Sequence, residues 1–246
     1  MVALHSPIEW TSATWNPVTG CTKVSPGCAH CYAETMAKRL KAMGNPRYAH
    51  GFEVHLHEDM LDLPLSWKRP RMIFVNSMSD LFHEAIPFSF IEKVFGTIER
   101  ANWHTFQILT KRAERMAELA PHLHWPENLW MGVTVECQEC ADRIDYLRTV
   151  PAAVRFVSAE PLLGPLDIDL DGIDWLIVGG ESGPRARPMD REWARALRYQ
   201  CLREGIPFFF KQWGGFNKKR NGRLLDERTW DELPGGSDRA QLALIA

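Results

Sequence analysis

Short apolar runs alternate with amphipathic stretches along most of the chain, and this alternation limits the possible folds more than any other feature. The apolar run at residues 72–75 is followed by residues 88–101, whose apolar side chains recur at the spacing of one helical face. Strands that alternate with helices in this way predict a parallel sheet with right-handed crossovers. The pattern predicts further strands at 105–109, 129–135, 154–157, 175–178 and 206–210, and further helices at 32–43, 113–120, 138–150 and 190–204, with a short helix at 60–67 that Pro64 limits.

The number of these units predicts the fold class. Six or seven strand–helix units, or eight with weaker early strands near 9–15 and 52–57, indicate an α/β fold of the (β/α) barrel type, complete or partial. A length of 246 residues suits one such barrel. A doubly wound open sheet is the alternative. We expect a barrel over residues 1–213 and a C-terminal tail or hairpin over 214–246 that packs on it.

Composition limits the setting in which the protein works. No segment approaches 18 unbroken apolar residues, and the first residues lack the build of a signal peptide, so we expect a cytoplasmic protein with no membrane contact. In a reducing compartment, clustered cysteines are more often metal-binding or catalytic than disulfide-bonded. The formal net charge of -2 gives no overall basic field, which leaves only a local basic groove for nucleic acid.

Three of the six cysteines, Cys21, Cys28 and Cys31, lie within eleven residues in the spacing C-x6-C-x2-C. Three thiolates on one short loop are hard to explain by packing, and they suit a metal centre with one position left open. The alternative is a structural zinc site of four thiolates, in which Cys28 and Cys31 join Cys137 and Cys140. That alternative leaves Cys21 without a role.

Polar side chains follow each predicted strand. In a parallel α/β fold, ligands bind at the carboxyl ends of the strands, so these groups are expected to converge on one mouth. The alternative is that residues leaving a buried strand become polar in any case. The groups are Ser77 and Asp80; Thr110 and Lys111; Thr134 and Glu136; Ser158 and Glu160; Glu181 and Ser182; and Lys211 and Gln212.

Five motifs carry a resemblance to known families. They are Cys21-Thr-Lys-Val-Ser-Pro-Gly-Cys28-Ala-His-Cys31-Tyr32-Ala-Glu, Asn76-Ser-Met-Ser-Asp80-Leu-Phe, Ile108-Leu-Thr-Lys111-Arg, Ser158-Ala-Glu160-Pro-Leu-Leu-Gly and Gly179-Gly-Glu181-Ser-Gly-Pro. The cysteine loop in a chain of repeated strand–helix units resembles the radical S-adenosylmethionine (SAM) superfamily. The full set resembles, more closely, a phage-associated three-Cys-motif family of unknown function, over roughly residues 8–215.

The superfamily resemblance implies a chemistry. Cys21, Cys28 and Cys31 would hold a [4Fe–4S] cluster, and SAM would chelate its open iron through the amino and carboxyl groups. An external one-electron reductant would then drive cleavage of SAM to methionine and a 5′-deoxyadenosyl radical, which abstracts hydrogen from the substrate. The usual spacing in that superfamily is C-x3-C-x2-C, from which this loop departs.

The resemblance also implies roles for the strand-end residues. The superfamily's Gly-Gly-Glu motif follows an early strand, whereas Gly179-Gly180-Glu181 follows a late one, so the contact to the SAM amino group is expected from Ser77, Ser79 or Asp80. Thr134 and Glu136 would bind the SAM ribose, and Ser158, Gly179 and Gly180 would complete the cofactor pocket. Lys111, Glu160 and Glu181 are the candidate catalytic residues, and both glutamates could instead pair with Lys111, Arg112 or Arg185.

Two classes of function remain at this point. The first is a radical SAM-like enzyme acting on a nucleobase, nucleotide or nucleic acid, a substrate class indicated by the resemblance and by three basic elements. The second is a zinc-binding adaptor or nucleic-acid-binding protein without redox chemistry. The basic elements are 68–71, 111–112 and 218–223.

Overall fold

A computed structural model describes residues 8–236 of the chain. The last ten residues of the predicted tail, 237–246, lie outside the described residues, as do residues 1–7.

Seven strands form one sheet in which every neighbouring pair is parallel. Their order in the sheet is their order in the chain, whereas a doubly wound fold reverses its strand order at a switch point. The first and last strands are the edges of the sheet, which curls into a half-barrel. The prediction of a partial (β/α) barrel is therefore confirmed. The strands are β1 (Ala13–Trp15), β2 (Met72–Val75), β3 (Thr105–Thr110), β4 (Leu129–Thr134), β5 (Val154–Ala159), β6 (Trp175–Gly179) and β7 (Phe208–Gln212).

Helices cover one face of this sheet because alternate strand residues supply it with apolar side chains. Ile108 of β3, Val133 of β4 and Val157 of β5 are fully buried in the main core with the apolar faces of the helices. The helices are α1 (Tyr32–Ala42), α2 (Phe88–Arg100), α3 (Ala113–Leu119), α4 (Arg143–Arg148), α5 (Arg191–Glu204) and the short α6 (Lys218–Asn221).

Three predicted elements differ from the structure. The predicted helix at 138–150 is a 3-10 turn, Gln138–Cys140, followed by the short helix α4, and this break directs Arg143 toward the end of β4. The predicted strand at 52–57 shrinks to His55–Leu56, which pairs antiparallel with Val18–Thr19 outside the main sheet. The predicted helix at 60–67 is reduced to the 3-10 turn Leu63–Ser66 around Pro64.

Aromatic side chains fill the face of the sheet away from the helices. Trp175 lies among the rings of Trp10, Trp130, Phe156 and Phe209, with ring centroids 5.6 to 6.2 Å apart. Each such ring buries a large apolar area, and edge-to-face contacts add to that stabilisation. This aromatic floor occupies the body of the concave face, so polar groups collect beyond it, at the carboxyl ends of the strands.

The segment after β7 returns along the edge of the sheet. Phe210 N–H donates to the carbonyl of Trp230 at 2.9 Å, and Phe209 forms an antiparallel bridge with Asp231. This pairing covers backbone groups that an edge strand would otherwise expose. None of the helices in residues 8–236 is both long and apolar enough to cross a membrane.

Candidate metal and cofactor site

The cysteine loop lies between β1 and α1, as the sequence predicted, and begins at a glycine that no other residue could replace without strain. Gly20 has φ +84°, and a Cβ there would lie 2.0 Å from the carbonyl oxygen of Glu53. The loop ends at Cys31, the residue that precedes α1. All three loop thiols are partly exposed, whereas Cys201 of α5 is fully buried in the core. Partial exposure suits a ligand better than a packing residue.

A first contact, which we call the Arg112 anchor, holds the start of the loop. The buried guanidinium of Arg112 donates to Cys21 Sγ at 3.4 Å, to Thr22 Oγ1 at 2.9 Å and to Asp80 Oδ2 at 3.3 Å. It also bonds both carboxylate oxygens of Glu84 at 3.0 Å. The residue after Lys111 thus joins the ends of β2 and β3 to the first cysteine.

Electrostatics at Cys21 follow from the same contacts. Burial and the nearby carboxylate of Asp80 raise the pKa of the Cys21 thiol to about 11, and Arg112 opposes this rise. Metal binding requires the thiolate, so a cationic donor at the sulfur favours the form that binds metal.

A second contact, the Glu136 anchor, holds the middle of the loop. The fully buried carboxylate of Glu136 accepts hydrogen bonds from Ser25 Oγ and, at 3.2 Å, from Gly27 N–H, while Arg143 donates to its other oxygen at 2.8 Å. Burial alone would raise the pKa of Glu136, but Lys111, Ser25 and Arg143 together hold it below its ordinary value. A Cβ on Gly27 would lie 2.9 Å from Glu136 Oε1, so this glycine admits the carboxylate.

A third contact, the Arg187 anchor, holds the end of the loop. Glu181 accepts from the side chain and backbone of Arg187 at 2.5 to 2.9 Å and lies 3.1 Å from His30 Nδ1. Arg187 also donates to the carbonyl of Pro26 at 3.0 Å. Although burial opposes the change, the hydrogen bonds from Arg187 and His30 lower the pKa of Glu181 to about 2.

The polar groups after β2 are engaged within the protein. The two oxygens of Asp80 accept from Phe82 N–H, Thr110 Oγ1, Lys111 N–H and Arg112 at 2.7 to 3.3 Å. Ser77 donates to Asn16 Oδ1 at 3.2 Å and Ser79 to the carbonyl of Val18 at 3.0 Å. In this arrangement they stabilise the turn beneath the cysteine loop.

At the far side of the mouth, the candidate catalytic glutamate Glu160 is paired. Lys211 Nζ lies 2.6 and 2.9 Å from its two oxygens, and Gln212 Nε2 donates to it at 3.3 Å. The structural partners of the two glutamates are therefore Lys211 for Glu160 and Arg187 for Glu181. The alternative of pairs with Lys111, Arg112 or Arg185 is not the observed one: within residues 8–236, none of these three forms a salt bridge with either glutamate.

The glycine pair before Glu181 is explained by close packing of backbone. A Cβ on Gly180 would lie 2.1 Å from the carbonyl oxygen of Trp213, and one on Gly179 would touch the side chain of Glu160 at 3.3 Å. The small residues thus let the end of β6 approach the end of β7.

Three strand-end groups on the concave face stay available to a ligand. Lys111 Nζ donates to Thr134 Oγ1 at 3.2 Å and forms none of the ion pairs among residues 8–236. Thr134 is paired in register with Ser158, whose buried hydroxyl has no hydrogen-bond partner within the same residues. An unpartnered buried hydroxyl is costly unless a ligand or water satisfies it. These three groups lie just beyond the aromatic floor.

The second cysteine pair lies directly after Glu136. The sulfurs of Cys137 and Cys140 are 3.5 Å apart, and burial raises the pKa of both thiols, that of Cys137 to about 12. Within residues 8–236, no three histidine, cysteine, aspartate or glutamate side chains are grouped closely enough to hold a single metal ion. Within the same residues, the structure therefore shows no preformed metal site, either from these thiols together with those of the loop or from the three loop thiols alone.

The sequence did not reveal the three arginines that hold the loop. It indicates Arg112 as part of a basic element and as a possible partner of a glutamate, and it gives Arg143 and Arg187 no role. The available signal was that each of the three follows a strand-end acidic or basic residue by one to seven positions. The sequence also assigns no contact to Ser25 or His30, which lie inside the loop itself.

These features define a class of protein: a partial (β/α) barrel that carries a three-cysteine loop at the carboxyl edge of its sheet. The sequence matches, over residues 5–234, the family described as "Protein of unknown function (DUF5131)", and the chain belongs to that family. No curated protein matches the chain.

Solved structures of spore photoproduct lyase show a distant likeness. A mutant with bound AdoMet and dinucleoside spore photoproduct is 11% identical at a TM-score of 0.45, over 77% of this chain and 61% of that one. A second mutant, with dinucleoside spore photoproduct, is 12% identical at a TM-score of 0.46, over 77% of this chain and 60% of that one. The chain thus spans about three fifths of the length of those proteins.

Proposed function

We propose that this protein is a radical SAM-like enzyme whose Cys21, Cys28 and Cys31 bind a [4Fe–4S] cluster and whose concave face binds SAM. One observation carries the proposal: three partly exposed thiols lie on a loop that three strand-end anchors hold at the carboxyl edge of the half-barrel. Iron–sulfur clusters are held by cysteine thiolates, and ligands of parallel α/β folds bind at this edge.

The residues present fit these groups. The loop's glycines, and the carboxylates of Glu136 and Glu181 that contact it, already position the loop, so the thiols remain for the metal. At the same edge of the sheet, the ammonium of Lys111, which forms no salt bridge within residues 8–236, and the unpartnered hydroxyl of Ser158 offer hydrogen bonds to a polar ligand. When bound, the cluster would supply the electron that cleaves SAM, and the protein positions both groups.

The contacts divide the strand-end residues into two roles. Glu136 and Glu181 act as positioning residues, because their oxygens are taken by Ser25, Gly27, Arg143 and Arg187. Lys111, Thr134 and Ser158 are the groups we assign to the cofactor.

Asp80, Ser77 and Ser79 fix the turn after β2, and the Glu160–Lys211 pair closes the other side of the mouth. A cluster of this kind needs a reducing compartment and an external one-electron reductant, so we place the reaction in the cytoplasm. The substrate class we propose is a nucleotide or nucleic acid.

The test is release of 5′-deoxyadenosine from SAM by anaerobically reconstituted protein in the presence of dithionite. We expect release by the wild type and none by Cys28→Ala. Lys111→Ala and Ser158→Ala should raise the SAM concentration needed for half-maximal release while iron content stays unchanged. Wild-type protein that holds a cluster but never cleaves SAM would contradict the proposal.

The zinc alternative has one observation in its favour, the 3.5 Å contact between Cys137 and Cys140. Cys137→Ser separates the two functions. A radical SAM-like enzyme keeps its cluster in this variant, because Cys137 lies outside the three-cysteine loop. A four-thiolate zinc protein loses its metal in Cys137→Ser as fully as in Cys28→Ala.

A further inference from the structure

A cleft of about 630 Å³ lies beside the candidate site, between the segment after β6 and the segment after β7. Arg187, Arg191, Trp213, Asn221 and Leu224 contribute to its walls. Arg187 belongs also to the anchor that holds the cysteine loop, through its bond to the carbonyl of Pro26. The cleft therefore shares one wall residue with the contacts that hold the cysteine loop.

Charge in this region is opposite to that of the whole chain. Residues 183–191 and 213–224 hold seven basic residues and one acidic residue, a formal charge of +6, against -2 for the whole chain. Three of the seven cations have salt-bridge partners, Glu181, Glu9 and Asp231. Within residues 8–236, the other four form no salt bridge and are exposed: Arg185, Arg191, Lys219 and Arg220.

Aromatic surface lies among these cations. Phe216 directly follows Gly215, a residue of the cleft wall, and is 80% exposed. Trp213 lines the cleft, and the guanidinium of Arg191 lies 5.6 Å from the centre of its ring. A single exposed aromatic residue is common on protein surfaces, but here it stands within a patch of unpaired cations.

We propose that this cleft and the adjoining turn bind a single-stranded nucleic acid and lead it to the radical SAM-like site. Proteins that bind single strands combine a cationic groove for the phosphates with aromatic rings on which bases stack. Arg185, Arg191, Lys219 and Arg220 supply the phosphate contacts, and Phe216 supplies the stacking surface. The interpretation of this cleft as a substrate site rests on the proposed function, but binding of the strand is measured without SAM cleavage.

The experiment is fluorescence anisotropy of the full-length protein with labelled single-stranded 12-mers, one of oligothymidine DNA and one of oligouridine RNA, at several salt concentrations. We expect wild-type protein to bind at least one strand, with an affinity that falls as salt rises. Replacing Lys219 and Arg220 together by alanine should weaken binding and reduce the salt slope by about 1.4, since each phosphate contact to a single strand contributes about 0.7. Phe216→Ala should weaken binding about fivefold or more with little change in slope.

The matched control replaces Lys68 and Arg69 by alanine. These two exposed residues carry the same charge in a different basic run, so the control should bind like the wild type. Three results would overturn the inference. They are no binding by wild type at low salt, equal loss in the control, or equal affinity of Phe216→Ala and wild type for every strand.

Two further arms use a DNA duplex and vesicles of anionic phospholipid. The cleft is proposed to bind single strands. If the duplex or the vesicles bind as tightly as a single strand, and Phe216→Ala does not weaken that binding, the cleft is a general polyanion site and the inference is overturned. If the protein cleaves SAM but binds no strand, only this inference fails. If it binds a strand but does not cleave SAM, only the proposed function fails.

Discussion

The Arg112 and Arg187 anchors both hold the cysteine loop, but the first is buried and the second is partly exposed. In the first, the side chains of Arg112 and Asp80 are 4% and 9% exposed, and the guanidinium contacts the cysteine sulfur itself. In the second, Glu181 is buried but Arg187 is 32% exposed and reaches only a loop carbonyl. The contrast indicates a loop fixed firmly at its start and held more loosely where the proposed nucleic-acid cleft begins.

Breaking the buried anchor should have the largest effect. Arg112→Ala leaves the carboxylate of Asp80 buried without its cation and removes the donor to Cys21. Removing one partner of a buried ion pair costs about 3–5 kcal/mol. We expect the free energy of unfolding, measured by urea titration, to fall by that amount. Arg185→Ala, at an exposed arginine without a salt bridge, is the control, and an equal loss in both variants would contradict the comparison.

The Glu136 anchor offers a more specific test. Gly27→Ala places a methyl group against the buried carboxylate of Glu136, and overpacking of this kind costs about 1–3 kcal/mol. In a Glu136→Ala background, the same substitution should cost much less, because the group it strikes is gone. A double-mutant cycle of unfolding free energies measures this coupling. Additive effects would show that Gly27 acts in some other way.

The exposed anchor should contribute less to stability and more to loop motion. In Arg187→Ala the backbone N–H of residue 187 still reaches Glu181, and a partly exposed pair is worth about 1 kcal/mol or less. We expect a small change in unfolding free energy but faster hydrogen exchange at residues 25–31. Exchange in those residues that matches the wild type would show that Arg187 does not restrain the loop.

Glu181 itself offers a test that is confined to acid. The folded-state pKa of Glu181 is lowered to about 2 from its ordinary 4.5, so the stability that this carboxylate supplies is present above pH 4.5 and is lost as pH falls toward 2. Glu181→Gln lacks this titration. The difference in melting temperature between wild type and Glu181→Gln should shrink between pH 4.5 and 2. A difference that stays constant over that range would contradict the assigned role.

The sequence predicted the architecture well where a pattern of residues is compatible with only one structural role. Apolar runs such as Met72–Val75 have no place except a buried strand, so the partial barrel and the position of the cysteine loop followed directly. The contacts at the mouth did not follow, because a glutamate after a strand can bind a ligand or a neighbouring loop with the same chemistry. Only the fold shows that Glu136 reaches Gly27, which lies 109 residues away in the chain.

The most direct test of the central claim is the metal content of the anaerobically purified protein after reconstitution with iron and sulfide. We expect about four iron atoms per chain in the wild type and in Cys137→Ser, with far less in Cys28→Ala. One zinc and no iron in the wild type, lost equally in Cys137→Ser and Cys28→Ala, would contradict the proposed cluster.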